Sequence, residues 1–333
     1  MARLAVLAAT IAAGLVVAAG AARAASYTVN VTGPMDLQSV AAAASGDTVF
    51  RISPATGAVT VQSGGGSRLS NASARSQVTV TCRPARSNDT DCTAKNVPIR
   101  VGVIGPLIGR ARALTNFAVA AGTATIAVAP TGINPLAFEL APLGNNSSKT
   151  FFIGADFPVA GDESNLPTGN GENSFYAYVV DANGLQLAGD SDKGKVRAFR
   201  ALSITKTADL NFGRIQIPAS GSSTVTLNAN NGNRSVSGSG FAYPTPAPTR
   251  AAFTVSGEGG QQFSLSIPTT LALTGPGTLS VTITDTAPNN PSLNGGLGSA
   301  GTFSFSIGGS FTITNATPTG AYSGLLTVSL DYN

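Results

Sequence analysis

Acidic side chains cluster in the first half of the chain at Asp156, Asp162, Glu163 and Glu172. Two carboxylates held about 5 to 9.5 Å apart are the machinery of glycoside hydrolysis. The local pattern argues against that chemistry here. Asp162 and Glu163 are adjacent, so on an extended chain they point to opposite sides, and their Gly, Pro and Asn neighbours mark surface loop. The same carboxylates, or the pair in Asp190-Ser191-Asp192, offer calcium its preferred oxygen ligands, but none completes an EF-hand spacing. Solvated loops are the favoured reading, and no catalytic, cofactor-binding or metal-ligating residue is assigned.

Cys82 and Cys92 are the only cysteines, separated by Arg83-Pro84-Ala85-Arg86-Ser87-Asn88-Asp89-Thr90-Asp91. In an exported chain, turn-forming residues between two cysteines predict a local disulfide closing a hairpin loop. A metal site would need further Cys or His ligands. Histidine is absent from all 333 residues, which removes Ser-His-Asp and Cys-His nucleophile systems, imidazole-ligated zinc and the imidazole general base. The expectation is a non-enzymatic protein without cofactor.

Contact chemistry remains. Ile104-Gly105-Pro106-Leu107-Ile108-Gly109 is unusually apolar for a loop. As an exposed segment, with Ile104, Pro106, Leu107 and Ile108 outward, it would be a contact loop; the other reading folds it back as core or irregular strand. Tyr176, Tyr178, Tyr322 and Tyr332 lie in or beside the last strands of the two halves, where packing is a better explanation than sugar stacking.

Strands must position all of these groups. Thr224-Val225-Thr226-Leu227, Phe263-Ser264-Leu265-Ser266-Ile267, Leu279-Ser280-Val281-Thr282-Ile283, Phe303-Ser304-Phe305-Ser306-Ile307 and Thr327-Val328-Ser329-Leu330 alternate apolar residues with Ser or Thr. Period two means one buried and one wet face, and many short strands between Gly, Pro and Asn turns indicate an all-β sandwich or barrel. The halves overlay on each other. Val29-x-Val31 with Asp36-Leu37 matches Leu202-x-Ile204 with Asp209-Leu210. Ser45 to Ile52 parallels Ser220 to Leu227, allowing a one-residue slip. Ile153-Gly154-Ala155-Asp156-Phe157 parallels Ile307-Gly308-Gly309-Ser310-Phe311, and Pro-Thr-Gly follows at 167–169 and at 318–320. This order implies duplication. The first copy carries extra residues around the cysteine loop and between Val103 and Thr123. Val180 to Leu185 reads as a hairpin turn, and the Gly- and Asp-rich residues 188–198 as the linker between a first domain over 25–187 and a second over 199–333.

Met1-Ala2-Arg3, the apolar run Leu4 to Gly20 and Ala22-Arg23-Ala24 form a secretory signal over 1–24, with the mature chain starting at Ala25. No later segment has the 18 or more consecutive apolar residues of a membrane span. The formal charge of +4 includes Arg3 and Arg23; without them 18 basic residues face 16 acidic ones, a balance of +2. The arginine pairs Arg83/Arg86 and Arg110/Arg112 lack interleaved aromatics, so nucleic acid is not an expected partner.

Ala208-Asp209-Leu210-Asn211-Phe212-Gly213, Ser220-Gly221-Ser222, Ile307-Gly308-Gly309, and the ending Pro318-Thr319-Gly320-Ala321-Tyr322-Ser323-Gly324-Leu325 through Tyr332 resemble the bacterial secreted family called domain of unknown function 4402. The likeness covers about 199–333, with a weaker copy over 26–180 in which Phe212-Gly213 has no counterpart. That family is similar to the spore-coat U and fimbrial-subunit group. The resemblance implies tandem immunoglobulin-like, pilin-like antiparallel sandwiches. It also implies assembly with other fimbrial subunits through a periplasmic chaperone and an outer-membrane usher, with passage through the periplasm to the cell surface, and it carries no catalytic residue. In such assembly a sandwich lacking one strand is completed by an extended segment of a neighbour. Because Tyr27, Val29 and Val31 align with a first strand, no donor segment is expected after Ala25. That fits a two-domain tip adhesin whose first domain binds a glycan or another host or abiotic surface. The alternative from another class is a free-standing secreted binding module, for example for polysaccharide.

Overall fold

The computed structural model describes residues 24–333; the predicted signal peptide lies outside the described residues but for Ala24. The chain is all-β. Thirteen strands build a first unit: β1 (Ser26–Thr32), β2 (Met35–Ala41), β3 (Thr48–Ile52), β4 (Val59–Ser63), β5 (Ser67–Arg68), β6 (Ser76–Arg83), β7 (Val97–Ile108), β8 (Thr115–Ala121), β9 (Ile126–Thr131), β10 (Leu136–Leu140), β11 (Ser147–Val159), β12 (Gly169–Val180) and β13 (Gln186–Phe199). A second unit follows: β14 (Ser203–Ala208), β15 (Ile215–Gln216), β16 (Ser222–Leu227), β17 (Arg234–Val236), β18 (Phe241–Ala242), β19 (Ala251–Glu258), β20 (Phe263–Ser266), β21 (Thr270–Thr274), β22 (Thr278–Asp285), β23 (Ala300–Thr314) and β24 (Ser329–Tyr332).

Period-two patterning sets these strands. In β6 the side chains of Ser76, Val78, Val80 and Cys82 are buried while those between them meet solvent, and β19 repeats this with Ala251, Phe253, Val255 and Gly257. The first unit packs a sheet ordered β1-β6-β11-β3-β4, with β8 also on β11, against a sheet ordered β5-β2-β13-β12-β7-β10-β9. The second unit has the matching first sheet, β14-β19-β23-β16-β17, with β22 on β23. Each unit encloses its own apolar core, so the two are tandem sandwiches of one topology.

Register makes the duplication residue-specific. Phe50 pairs Phe157 and Thr48 pairs Val159, as Val225 pairs Phe311 and Ser223 pairs Ile313. The blocks beginning at Ser45 and Ser220 therefore align without a slip. Thr48 Oγ1 accepts the Gly66 N–H at 2.9 Å, and Ser223 Oγ accepts the Gly240 N–H at 2.8 Å. The first block needs correcting by two residues: Val29 faces Val80 as Ile204 faces Val255, so Val29 matches Ile204 rather than Leu202. A two-residue shift keeps every side chain on its face, which is why alternation alone could not detect it. It also supplies the missing counterpart of Phe212-Gly213, namely Leu37-Gln38. Gln38 and Gly213 both take left-handed φ, 60° and 74°. Their N–H groups donate to Asp36 Oδ1 at 2.7 Å and to Asn211 Oδ1 at 2.8 Å.

The expected linker is corrected as well: residues 188–198 lie within β13, which pairs antiparallel with β12 and parallel with β2. Its glycines and acids serve packing. A Cβ on Gly194 would stand 2.9 Å from the Phe157 ring, and Asp190 Oδ2 accepts the Val31 N–H at 2.9 Å. The connection between units shrinks to Arg200-Ala201-Leu202.

Candidate functional site

The second sheet of each unit shows where the copies differ. In the first unit β13 lies between β2 and β12, joining β5-β2 on one side to β12-β7 on the other. In the second unit β18-β15 corresponds to β5-β2: Ile215 pairs Ala242 as Val40 pairs Arg68. β24-β20 corresponds to β12-β7, the strand after the Pro-Thr-Gly turn paired with the strand that follows the β6 or β19 arm. Among the described residues no strand joins these fragments, so one sheet is split into two two-stranded pieces along the line that β13 fills in the first unit.

The gap is apolar and open. A cavity of about 620 Å³ runs between the β14–β15 arm and the residues leading into β24, lined by Leu210, Phe212, Ile215, Phe253, Phe311 and Leu326 among others. The first-unit counterparts of Leu210, Phe212 and Ile215 are Met35, Leu37 and Val40, all fully buried. Taking the Pro-Thr-Gly turns as equivalent, Phe175, Ala177 and Val179 of β12 correspond to Leu326, Val328 and Leu330. The former are fully buried and the latter only half-buried. Leu325 is 86% exposed. In the first core fully buried side chains predominate, whereas in the second half-buried ones do. An edge with free N–H and C=O groups above exposed apolar side chains is what an added strand satisfies.

Beyond this groove, β24 and the end of β19 form part of the seam between the units. Glu258, at the end of β19, is fully buried, and Tyr332, in β24, is held against it. Burial pushes the Tyr332 hydroxyl up to about 12, with the Glu258 and Asp162 charges adding to the rise.

The residues singled out in sequence take other places. Cys82 and Cys92 are bonded, with Cα atoms 5.7 Å apart, at the end of the first unit where the short α-helical turn Asp91–Ala94 sits. Ile104, Pro106, Leu107 and Ile108 are not a loop. They are the last part of β7, thrown outward by a bulge opposite Glu172 and Ser174, and Ile104, Leu107 and Ile108 are 43%, 50% and 50% exposed. The irregular-strand reading is the one seen, since two glycines and a proline fit a bulged strand as well as a loop. The acidic cluster is dispersed: Glu163 accepts the Gly46 main-chain N–H at 2.6 Å, and the other three form ion pairs. Asp156 receives Arg51 Nε at 2.7 Å and Asn116 Nδ2 at 2.7 Å, Asp162 pairs with buried Arg110, and Glu172 pairs with Lys193. Burial raises the Asp156 carboxyl, but the hydrogen bonds from Arg51 and Asn116 outweigh it and its pKa is lowered. No group of three or more His, Cys, Asp or Glu positioned to hold a metal occurs among the described residues, and no helix among them is long and apolar enough to cross a membrane. Tyr176 and Tyr178 stack on each other at 4.1 Å on the outer face of their sheet. The groove residues were legible only as strand formers, in the alternation Leu326, Val328, Leu330 and Tyr332.

No curated protein matches the chain. A solved structure described as a chaperone-tip adhesin complex, vital for synergistic activation of CFA/I fimbriae biogenesis, shares 10% identity with a TM-score of 0.23, covering 91% of this chain and 97% of that one. Residues 202–332, the unit that carries the open groove, match the model of the family described as domain of unknown function (DUF4402).

Proposed function

We propose that the chain is an exported, non-enzymatic structural or adhesive subunit of pilus type, whose second sandwich is completed by a strand from another polypeptide. The observation that carries this reading is the split sheet: β15-β18 and β20-β24 stand where the first unit has one sheet bridged by β13. The first sandwich supplies its own strand and its disulfide-bearing end is free for recognition of a surface. Other fimbrial subunits are the donors, and a periplasmic chaperone with an outer-membrane usher is the assembly route that fits an open, apolar intermediate. By the β13 template the incoming strand runs antiparallel to β24 and parallel to β15.

A synthetic peptide alternating Val or Ile with Thr, long enough to span β24 and the residues before it, tests this on the full chain. It is expected to slow amide hydrogen exchange at Leu326, Val328 and Leu330 by about tenfold or more and to raise the unfolding midpoint of the second unit. A control peptide with Asp at the apolar positions does neither. Equal behaviour of the two peptides, or no protection from either, overturns the reading.

A further inference from the structure

The seam between the sandwiches is built around one buried carboxylate. Glu258 accepts the Thr168 hydroxyl of the first unit at 2.9 Å, the Arg200 main-chain N–H at 3.2 Å and the Gly298 main-chain N–H. Arg200 Nε approaches it at 3.7 Å. The Glu258 main-chain N–H donates to Tyr332 Oη at 2.7 Å, and the Tyr332 hydroxyl donates to the Arg200 carbonyl at 2.9 Å. The Tyr332 ring packs on Phe199, the last residue of β13, with centroids 5.8 Å apart. Gly257 leaves room for this: a Cβ there would lie 2.4 Å from Tyr332 Oη. From the other side Asp162 accepts the Ala201 N–H at 2.9 Å. The connecting residues Arg200 and Ala201 are therefore held by both units, and Tyr332 is one of the holds.

Tyr332 is also the last residue of β24, a strand of four residues where its counterpart β12 has twelve. Among the described residues β24 is laddered on one side only, by β20, and its other edge faces the position that β13 fills in the first unit. A strand added there gives β24 a second ladder and fixes the residue that bridges Glu258 to Arg200. We propose that Tyr332 couples the groove to the seam, so that capture of a strand stiffens the connection between the two sandwiches. By reciprocity, a closed seam strengthens strand capture by the same factor. The inference rests on the strand-capture reading, and its partner is the same extended apolar segment.

The alternating Val/Thr peptide on the full chain separates the two ideas. In the wild type it is expected to slow exchange of the Glu258 and Ala201 amides about tenfold, alongside protection at Leu326 to Leu330. In Tyr332→Phe the peptide still protects Leu326 to Leu330, the Ala201 amide no longer responds, and peptide affinity falls about fivefold or more. Thr168→Val, which cuts the first unit's hold on Glu258 and leaves Tyr332 in place, keeps the peptide response of the Glu258 amide. Protection at Leu326 to Leu330 without any change at Glu258 and Ala201 overturns the coupling alone, as does an Ala201 response in Tyr332→Phe equal to that of the wild type. Failure of the peptide to protect Leu326 to Leu330 overturns the strand-capture reading and the coupling with it.

Discussion

Gly154 and Gly308 occupy the same place in the two copies and carry the same constraint. A Cβ on Gly154 would lie 2.1 Å from the Ile52 carbonyl oxygen, and one on Gly308 would lie 2.2 Å from that of Leu227. Ile52 and Leu227 are themselves equivalent. The close approach lets the chain pass tightly where β11 leaves its pairing with β3 and β23 its pairing with β16, and it explains why Ile-Gly recurs in both copies. Gly154→Ala and Gly308→Ala should each destabilise their own unit by about 1–3 kcal/mol, because the obstacle is backbone and cannot rotate away. Urea unfolding followed separately for each unit checks this; a loss within about 0.5 kcal/mol, as at an ordinary surface site, would show that the strands can part. The repeated Ile-Gly motif was legible in the sequence, but its cause was not, since a carbonyl distant in sequence supplies the steric wall.

Strands announced themselves wherever one face is wet, as in β16, β22 and β23, and the cysteine loop was legible because turn residues and redox context agree. One element was misread. β13 is rich in Gly and Asp, which in isolation break strands, yet here Gly194 fits against particular neighbours, Asn173 and Phe157. The open groove was legible only in part, since a split in a sheet shows only when the two copies are laid side by side in three dimensions. The disulfide is the element whose energetic effect is simplest to isolate. Closing a loop with a sequence separation of 10 contributes about 2–3 kcal/mol through the unfolded state. Replacing both Cys82 and Cys92 by Ser should lower the unfolding midpoint of the first unit by that amount and leave the second unit's transition in place. An equal loss in both transitions would mean that the units unfold as one body.

At the scale of the whole molecule, the two sandwiches differ in one sheet, bridged by β13 in the first and split into β15-β18 and β20-β24 in the second, and Tyr332 stands where the two units meet. Burial raises its hydroxyl to about 12 from the ordinary value of 10.0, so folding favours the neutral phenol. A group whose folded pKa is raised contributes stability that is fully present below its unfolded value and is lost as pH climbs through the folded one. The window is therefore about pH 10 to 12. Tyr27 and Tyr176, in the first unit, are also raised by burial, so the wild type alone cannot assign the effect. The comparison with Tyr332→Phe can, because that variant lacks the hydrogen bonds to Glu258 and Arg200 at every pH and has no phenol to titrate there. Below pH 10 the second unit of the wild type should be the more stable of the pair, and the gap should narrow steadily from about pH 10 to about pH 12. The first unit's transition should show no such difference between the two proteins. A gap that stays constant across this window would mean that Tyr332 ionises as freely in the folded chain as in the unfolded one. The neutral hydroxyl would then not be what joins β24 to the seam.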